Sequence, residues 1–308
     1  MVADRNGRLA IILLLTCALI AASIFYITHR RPAARQERPQ RERVIMWHMW
    51  TAEWKAVVDR IVERFNESQD KYEVVALSVP ASAADAKFLL AVAGGSSPDI
   101  MCQWTQVIPS WAEKGILQPL DELMTPEEWE DFKKTTFPCV KKIGIYKGRL
   151  YGVTTGMNTW ACYYIPQDFR DAGMDPDKFP KTLEELVEVG YKLNKFDEKG
   201  NLIHMGFLAK WWLLYVNGFG GGFYDWKNNR LNLDDPGNLR ALEFLTEQRK
   251  KLGFHNVVRY ESGLQTGVGG AEWPFMTGAY SIVADGQWRV QQLAKFAPKL
   301  EYRTAPIP

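Results

Sequence analysis

The spacing of apolar residues along this chain switches repeatedly between the period of a strand and that of a helix. From Val44 to Trp50 a short β-prone apolar run leads to Thr51, a residue suited to cap a helix. Trp54, Val57, Val58, Ile61, Val62 and Phe65 then recur at helical spacing. A strand pattern returns at Tyr72 to Val79 and a helical one at Lys87 to Val92, and Pro98-Asp99 opens a third strand at Ile100 to Gln103. Strand and helix in alternation predict a parallel sheet with helices on its faces.

Further on, capping signals mark the helices. Thr125-Pro126-Glu127-Glu128 combines a cap, a proline at the first helical position and a glutamate able to bond back to the cap. Thr182 with Glu185 repeats the pattern for a helix to about Lys195, and a third helix from near Pro236 is stopped by Gly253. Gly218 to Gly222 lacks the Lys-Ser/Thr of a P-loop and the spacing of a dinucleotide fingerprint, so it reads as a turn.

Ahead of these elements Leu9 to Ile27 carries no charge and lies between Arg5 and Arg8 on one side and Arg30 and Arg31 on the other. It matches the ~20 residues that cross a bilayer and exceeds the ~7 to 15 apolar residues of a cleaved signal. Only Ile20-Ala21-Ala22 and Ala21-Ala22-Ser23 approach a cleavage site, so an uncleaved transmembrane helix at 9–27 is expected after a short segment, 1–8. Leu15-Thr16-Cys17 is a poor lipoprotein signal, because Thr stands where a smaller residue is usual. Residues 28–43, rich in Arg, Pro, Glu and Gln, form a solvated tether whose arginines would by themselves favour the cytoplasmic side.

A length of 308 residues suits two lobes, and 46% apolar with 24% charged residues is the balance of a folded protein. The net charge of +2, with basic residues dispersed beyond the tether, leaves no nucleic-acid footprint. Aromatic content is high: 12 Trp, 12 Tyr and 15 Phe suit a surface that grips flat or amphipathic ligands as well as a core. Cys102, Cys139 and Cys162 follow Cys17 without metal or redox spacing, which allows at most one disulfide and one free thiol in the folded part and reads most simply as three small buried residues. No metal or cofactor is expected.

Several segments, in order, resemble family 1 extracellular solute-binding proteins, the group that includes maltose-binding and other sugar-binding proteins. They are Val44 to Trp50 with the helix carrying Phe65-Asn66, Ala93 to Ile100 (AGGSSPDI), Trp111 to Leu120 (WAEKGILQPL), Gly148 to Val153 (GRLYGV), and Trp160 to Tyr164. Lys181 to Leu186 (KTLEEL), Phe275 to Ser281 with Gly286-Gln287-Trp288, and Arg303 to Pro308 complete the series.

The resemblance implies an α/β, periplasmic binding protein-like (type II) fold: a first lobe at 44–155 and a second at 156–308, joined by a hinge at Thr154, Thr155 and Gly156, with ligand in the cleft between them. Family members usually continue further and return to the first lobe, a return that this sequence does not include. The resemblance also implies a mono- or oligosaccharide ligand, an ABC permease as partner, and a folded part outside the cytoplasm, against the arginine bias of the tether.

By the same resemblance His48 and Trp50 end the first strand toward the cleft, and Gln103, Trp104, Thr105 and Gln106 follow the third. Trp104 would stack on a sugar ring while the amides bond its hydroxyls. Asn158 and Thr159 lie at the hinge, and Trp211, Trp212, Gly286 and Trp288 face the ligand from the second lobe. Adjacent residues point to opposite sides of a regular element, so one of Trp211 and Trp212 at most meets ligand. Two other readings compete: a membrane-anchored sugar-binding sensor or adhesion module, and a glycosidase using Glu272 and Asp285, which would need them ~5 to 10 Å apart. No GxSxG or HExxH motif is present.

Overall fold

The structure, a computed structural model, describes residues 41–308 apart from 226, 229 and 265–272. The expected anchor at 9–27, the segment before it, most of the tether, Cys17 and Glu272 lie outside the described residues. Among the described residues no helix is long and apolar enough to cross a membrane. The chain divides into two compact units, the first ending at Gln118 and the second beginning at Pro119. Residues 119–155, assigned by resemblance to the first lobe, therefore lie in the second unit.

In the first unit, strands β1 (Glu42–His48), β2 (Tyr72–Ser78) and β3 (Ile100–Cys102) form a parallel sheet in the order β2-β1-β3. Glu42 and Arg43, expected in the tether, already belong to β1 and pair with Tyr72 and Glu73. The crossovers are helices α1 (Ala52–Ser68) and α2 (Ala81–Ala93), as the alternating pattern predicts. Asn66 near the end of α1 bonds both the N–H and the C=O of Val74, at 2.8 and 2.9 Å, and so satisfies part of the open edge of β2. Asp99 does the same for Ile45 and sets β3 beside β1. Phe88 of α2 stacks on Trp111 of the short helix α3 (Ile108–Glu113) at 4.4 Å.

One helix boundary and one helix face differ from expectation. Helix α2 begins six residues earlier than Lys87, because its first turns are Ala, Ser and Asp and carry no apolar period. Helix α1 turns Trp54, Val58 and Val62 inward by half and leaves Val57, Ile61 and Phe65 exposed.

The second unit opens with α4 (Pro126–Thr135), whose capping box is complete, and continues through α5 (Pro138–Gly144) and the hairpin β4 (Ile145–Tyr146) to β5 (Arg149–Leu150). Its main sheet places β6 (Trp160–Tyr164) between β11 (Ile282–Gly286) and β12 (Arg303–Ala305), antiparallel to both. Side chains alternate across a strand, and β6 is covered on both faces: Cys162 and Tyr164 enter one core with Phe169, Leu186 and Ile282, while Tyr163 enters another with Met205, Trp273, Phe275 and Tyr280.

The first core is covered by α6 (Pro166–Asp171), α7 (Leu183–Leu193), α8 (Trp212–Val216) and α9 (Pro236–Leu252). Two short strand pairs, β7 (Lys195–Phe196) with β8 (Leu202–His204) and β9 (Tyr224–Asp225) with β10 (Arg230–Leu231), link these helices, and α10 (Phe254–Gly263) and α11 (Trp288–Phe296) border the second core. Helix α7 stops at Leu193, two residues short of the expected Lys195, which begins β7. Its cap differs as well: Thr182 accepts from the Glu185 N–H, but the Glu185 carboxylate reaches past the cap to the N–H of Lys181. Gly253, at φ +81°, ends α9.

Candidate functional site

In the first unit the three parallel strands end level, with His48 opposite both Ser78 and Cys102. Because β2 and β3 flank β1 on opposite sides, this carboxyl edge is a topological switch point, the position at which open α/β sheets bind ligands. Trp50 follows β1, half-buried, its backbone held by a 2.6 Å bond from the Ser78 hydroxyl to the Trp50 carbonyl. After β3, the Gln103 amide is engaged at both ends: its nitrogen donates to Asp85 at 2.6 Å and its oxygen accepts from the Trp104 N–H at 2.8 Å. Trp104 then stands 48% exposed before the 3-10 turn Thr105–Val107, in which Thr105 is half-buried and Gln106 exposed.

His48 differs from the sequence expectation. It is fully buried, so it does not line a surface, and neither ring nitrogen makes a well-aligned hydrogen bond among the described residues, although the Trp50 backbone lies near enough to favour the protonated ring. Burial pushes its pKa below the ordinary imidazole value, partly opposed by the charge of Asp59. Its ring centre is 6.0 Å from that of Trp50.

In the second unit, three indoles come together where β6 begins and β11 ends. Trp160 pairs in register with Gly286. The Trp160 ring meets Trp288 at 5.4 Å edge to face and Trp211 at 5.7 Å, tilted by 57°. The Trp288 ring folds back over Gly286 so closely that a Cβ on that residue would lie 2.0 Å from it, which explains why Gly stands there. The Gly286 carbonyl accepts from the Tyr163 hydroxyl at 2.9 Å, and burial pushes that phenol up to about 12.

Gln287 ties this aromatic group to the segment before β6. Its N–H donates to the Thr159 carbonyl and its side-chain oxygen accepts from the Thr159 N–H at 2.8 Å. Its amide nitrogen donates to the Met157 carbonyl at 2.9 Å and to the Asn158 side-chain oxygen at 3.4 Å. Asn158, Thr159, Gln287 and the indoles thus form one continuous face. Thr154, Thr155 and Gly156 lie just before it in a stretch without regular structure.

The two adjacent tryptophans separate as side-chain geometry requires. Trp211 is 59% exposed against Trp160. Trp212 turns into the core, its indole N–H donating to the Asn238 carbonyl at 3.0 Å and its ring meeting Phe223 edge to face. Trp160 and Gln287 belong to the face although neither was itself expected to meet ligand. The available signal was that Trp160 directly follows Asn158 and Thr159, and Gln287 directly precedes Trp288.

The cations that neighbour Trp211 and Trp288 in sequence pack toward Tyr280 and Trp273 of the second core and are already matched. Lys210 bonds Glu261 at 2.7 Å and the Tyr280 hydroxyl at 2.8 Å. Arg289 bonds Asp285 at 2.8 Å, and the other Asp285 oxygen accepts from the Gly286 N–H. Asp285, weighed above as one of two catalytic carboxylates, is therefore held as a structural anion. His204 also sits among Ser281 and Asp168, but Ser281 is fully buried and Asp168 approaches the same ring nitrogen as the hydroxyl. The other ring nitrogen faces the Gly278 carbonyl and so carries the proton. This cluster pins a core; it does not expose a nucleophile. Cys102, Cys139 and Cys162 are all free thiols, and Cys139 is exposed, contrary to the expectation of three buried residues.

Residues 50–308 match the family described as bacterial extracellular solute-binding protein. The chain is 23% identical over 271 residues to the maltotriose-binding protein of Pyrococcus abyssi, a match taking in 86% of this chain and 53% of that protein. It is 25% identical over 230 residues to the sn-glycerol-3-phosphate-binding periplasmic protein of Yersinia pseudotuberculosis, covering 68% and 49% of the two. The solved structure of CpMnBP1 with mannotriose bound superposes at a TM-score of 0.76 and 25% identity, over 87% of this chain and 68% of that one. The chain spans about half the length of the curated relatives it matches. With its family match running from the end of β1 to the last residue, the chain belongs to the bacterial extracellular solute-binding proteins.

Proposed function

We propose that this protein captures a small polar solute, a mono- or oligosaccharide, outside the cytoplasm and delivers it to the permease of an ABC importer. The observation that carries this reading is the face made by exposed Trp211 and half-buried Trp288 on Trp160, bordered by Asn158, Thr159 and Gln287. A sugar ring offers an apolar C–H face and a rim of hydroxyls, and indoles beside uncharged amides complement both. Trp104, with Thr105, Gln106 and Gln103 beside it, offers the same combination on the first unit. Trp50 joins it, with His48 as the buried support behind that indole. The names of the relatives, for maltotriose and for mannotriose, support the sugar assignment.

Leu9 to Ile27 is read as the membrane anchor, and Thr154, Thr155 and Gly156 as the hinge. The test is a thermal-shift and calorimetric series on the purified protein with mono-, di- and trisaccharides. A bound sugar raises the melting temperature by mass action, and the sugar is recovered unchanged. Stabilisation by peptides or polyamines with none by sugars overturns the assignment. Loss of uptake on deletion of the gene tests delivery.

A further inference from the structure

We infer, on the footing of that solute-binding reading, that Gln287 is a positioning residue. It turns the Asn158 amide so that the N–H pair, and not the oxygen, meets the solute, and the rim of the indole face there selects a solute that brings an acceptor oxygen.

The backbone N–H of Gln287 donates to the Thr159 carbonyl at 3.0 Å and its side-chain oxygen accepts from the Thr159 N–H at 2.8 Å. Gln287 thereby continues the β6–β11 pairing one residue beyond Trp160 and Gly286. Its amide nitrogen donates to the Met157 carbonyl at 2.9 Å. A backbone N–H can only donate and a carbonyl can only accept, so these two partners settle which end of the Gln287 amide is oxygen and which is nitrogen. The Asn158 atom 3.4 Å from that nitrogen must then be the amide oxygen, because a second NH₂ group would face it donor to donor.

With the oxygen turned toward Gln287, the Asn158 nitrogen is left on the outer side. Asn158 is exposed, and its nitrogen makes no hydrogen bond among the described residues. Both ends of the Gln287 amide are occupied, so Gln287 acts through its neighbour. The indoles are adjacent: Asn158 lies two residues before Trp160, and Gln287 directly precedes Trp288, whose ring meets that of Trp160 at 5.4 Å. A glycan offers ring, glycosidic and hydroxyl oxygens to such a donor, whereas an ammonium group has only N–H donors of its own. The orientation therefore favours a polyhydroxylated solute over a polyamine.

The experiment is calorimetry on the full chain with maltotriose, mannotriose, glucose and mannose. It compares the wild type with Asn158→Ala, Asn158→Asp, Gln287→Ala, Gln287→Glu and the double variant Asn158→Ala, Gln287→Ala. Loss of one neutral hydrogen bond should weaken binding by about three- to tenfold in Asn158→Ala. Gln287→Ala should lose about as much alone and add almost nothing to Asn158→Ala, the coupling expected of a residue that acts through another. A merely structural lesion would add its own loss in both backgrounds. Asn158→Asp still accepts from Gln287 but has no N–H for the solute, so it should lose at least as much as Asn158→Ala. If Gln287→Ala lowers the melting temperature sharply, Gln287→Glu carries the comparison. It keeps the acceptor for the Thr159 N–H, cannot donate to Asn158, and draws the N–H pair of that amide inward, so it should bind like Asn158→Ala. Asn158→Asp binding a sugar as tightly as the wild type overturns the inference, as do additive losses in the double variant, and either result leaves solute binding standing. Absence of heat from the wild type with all four sugars defeats both readings.

Discussion

Trp160 and Trp288 meet edge to face, ring centres 5.4 Å apart and planes at 88°, across a strand pair in which Trp160 lies opposite a glycine. The missing side chain at Gly286 gives both indoles their places. An edge-to-face pair is worth about 0.5–1.5 kcal/mol beyond the area it buries, and Trp160 also contacts Trp211. Trp160→Leu should therefore weaken glycan binding by about tenfold, with a fold intact by far-UV dichroism and a reduced indole signal in the near-UV. Unchanged affinity by calorimetry would show that Trp160 does not support the binding face.

Gly286→Ala tests the same site from the backbone side. The added Cβ would lie 2.0 Å from the Trp288 ring, so the indole must swing off the strand. Overpacking of this kind costs about 1–3 kcal/mol, which a urea titration can measure, and glycan affinity should drop with it. The double variant Gly286→Ala, Trp288→Leu should recover most of the stability but not the affinity. Additive losses in that cycle would place the strain elsewhere.

Much of this architecture was legible wherever one residue carries its own local instruction. Thr125 and Glu128 fix the start of α4, and Gly253 with positive φ fixes the end of α9. The strand and helix alternation of the first unit was readable because β1 and α1 have distinct periods. By contrast, the start of α2 was hidden, since Ala81 to Ala86 contributes small side chains with no apolar rhythm. That only one of Trp211 and Trp212 could stay outside followed from geometry, but which one depended on Asn238 and Phe223, distant in sequence. The burial of His48 was equally out of reach, because the end of a strand at a switch point can be covered or open.

Thiol reactivity separates the cysteines. Thiolate is the nucleophile, and burial pushes the Cys162 thiol up to about 12, which leaves it almost wholly protonated near neutrality. Burial raises Cys102 too, whereas Cys139 is exposed on α5. In a Cys17→Ser background, Ellman's reagent should label Cys139 fast, Cys102 slowly and Cys162 only on unfolding. Cys139→Ser should abolish the fast phase; its survival would contradict the exposure assigned here.

His48 should make the protein less stable in mild acid. Its pKa in the folded state is below the ordinary 6.5, chiefly through burial. As the pH falls through about 6.5 the unfolded chain takes up a proton that the folded chain refuses, so the unfolded state binds more protons and stability declines with falling pH. His204, lowered mainly by burial, adds a loss of the same sign. Asp121, Asp197 and Asp225 have lowered values and act only in stronger acid, well below this window. One histidine can contribute at most about 1.4 kcal/mol per pH unit. His48→Leu replaces a ring without a well-aligned hydrogen bond by an apolar group, so it should change stability at pH 7.5 by no more than about 1 kcal/mol. Between pH 6.5 and 5 it should flatten the slope, leaving the share that belongs to His204. Denaturant titrations across that range measure both quantities, and a slope equal to that of the wild type would mean that His48 is protonated within the fold.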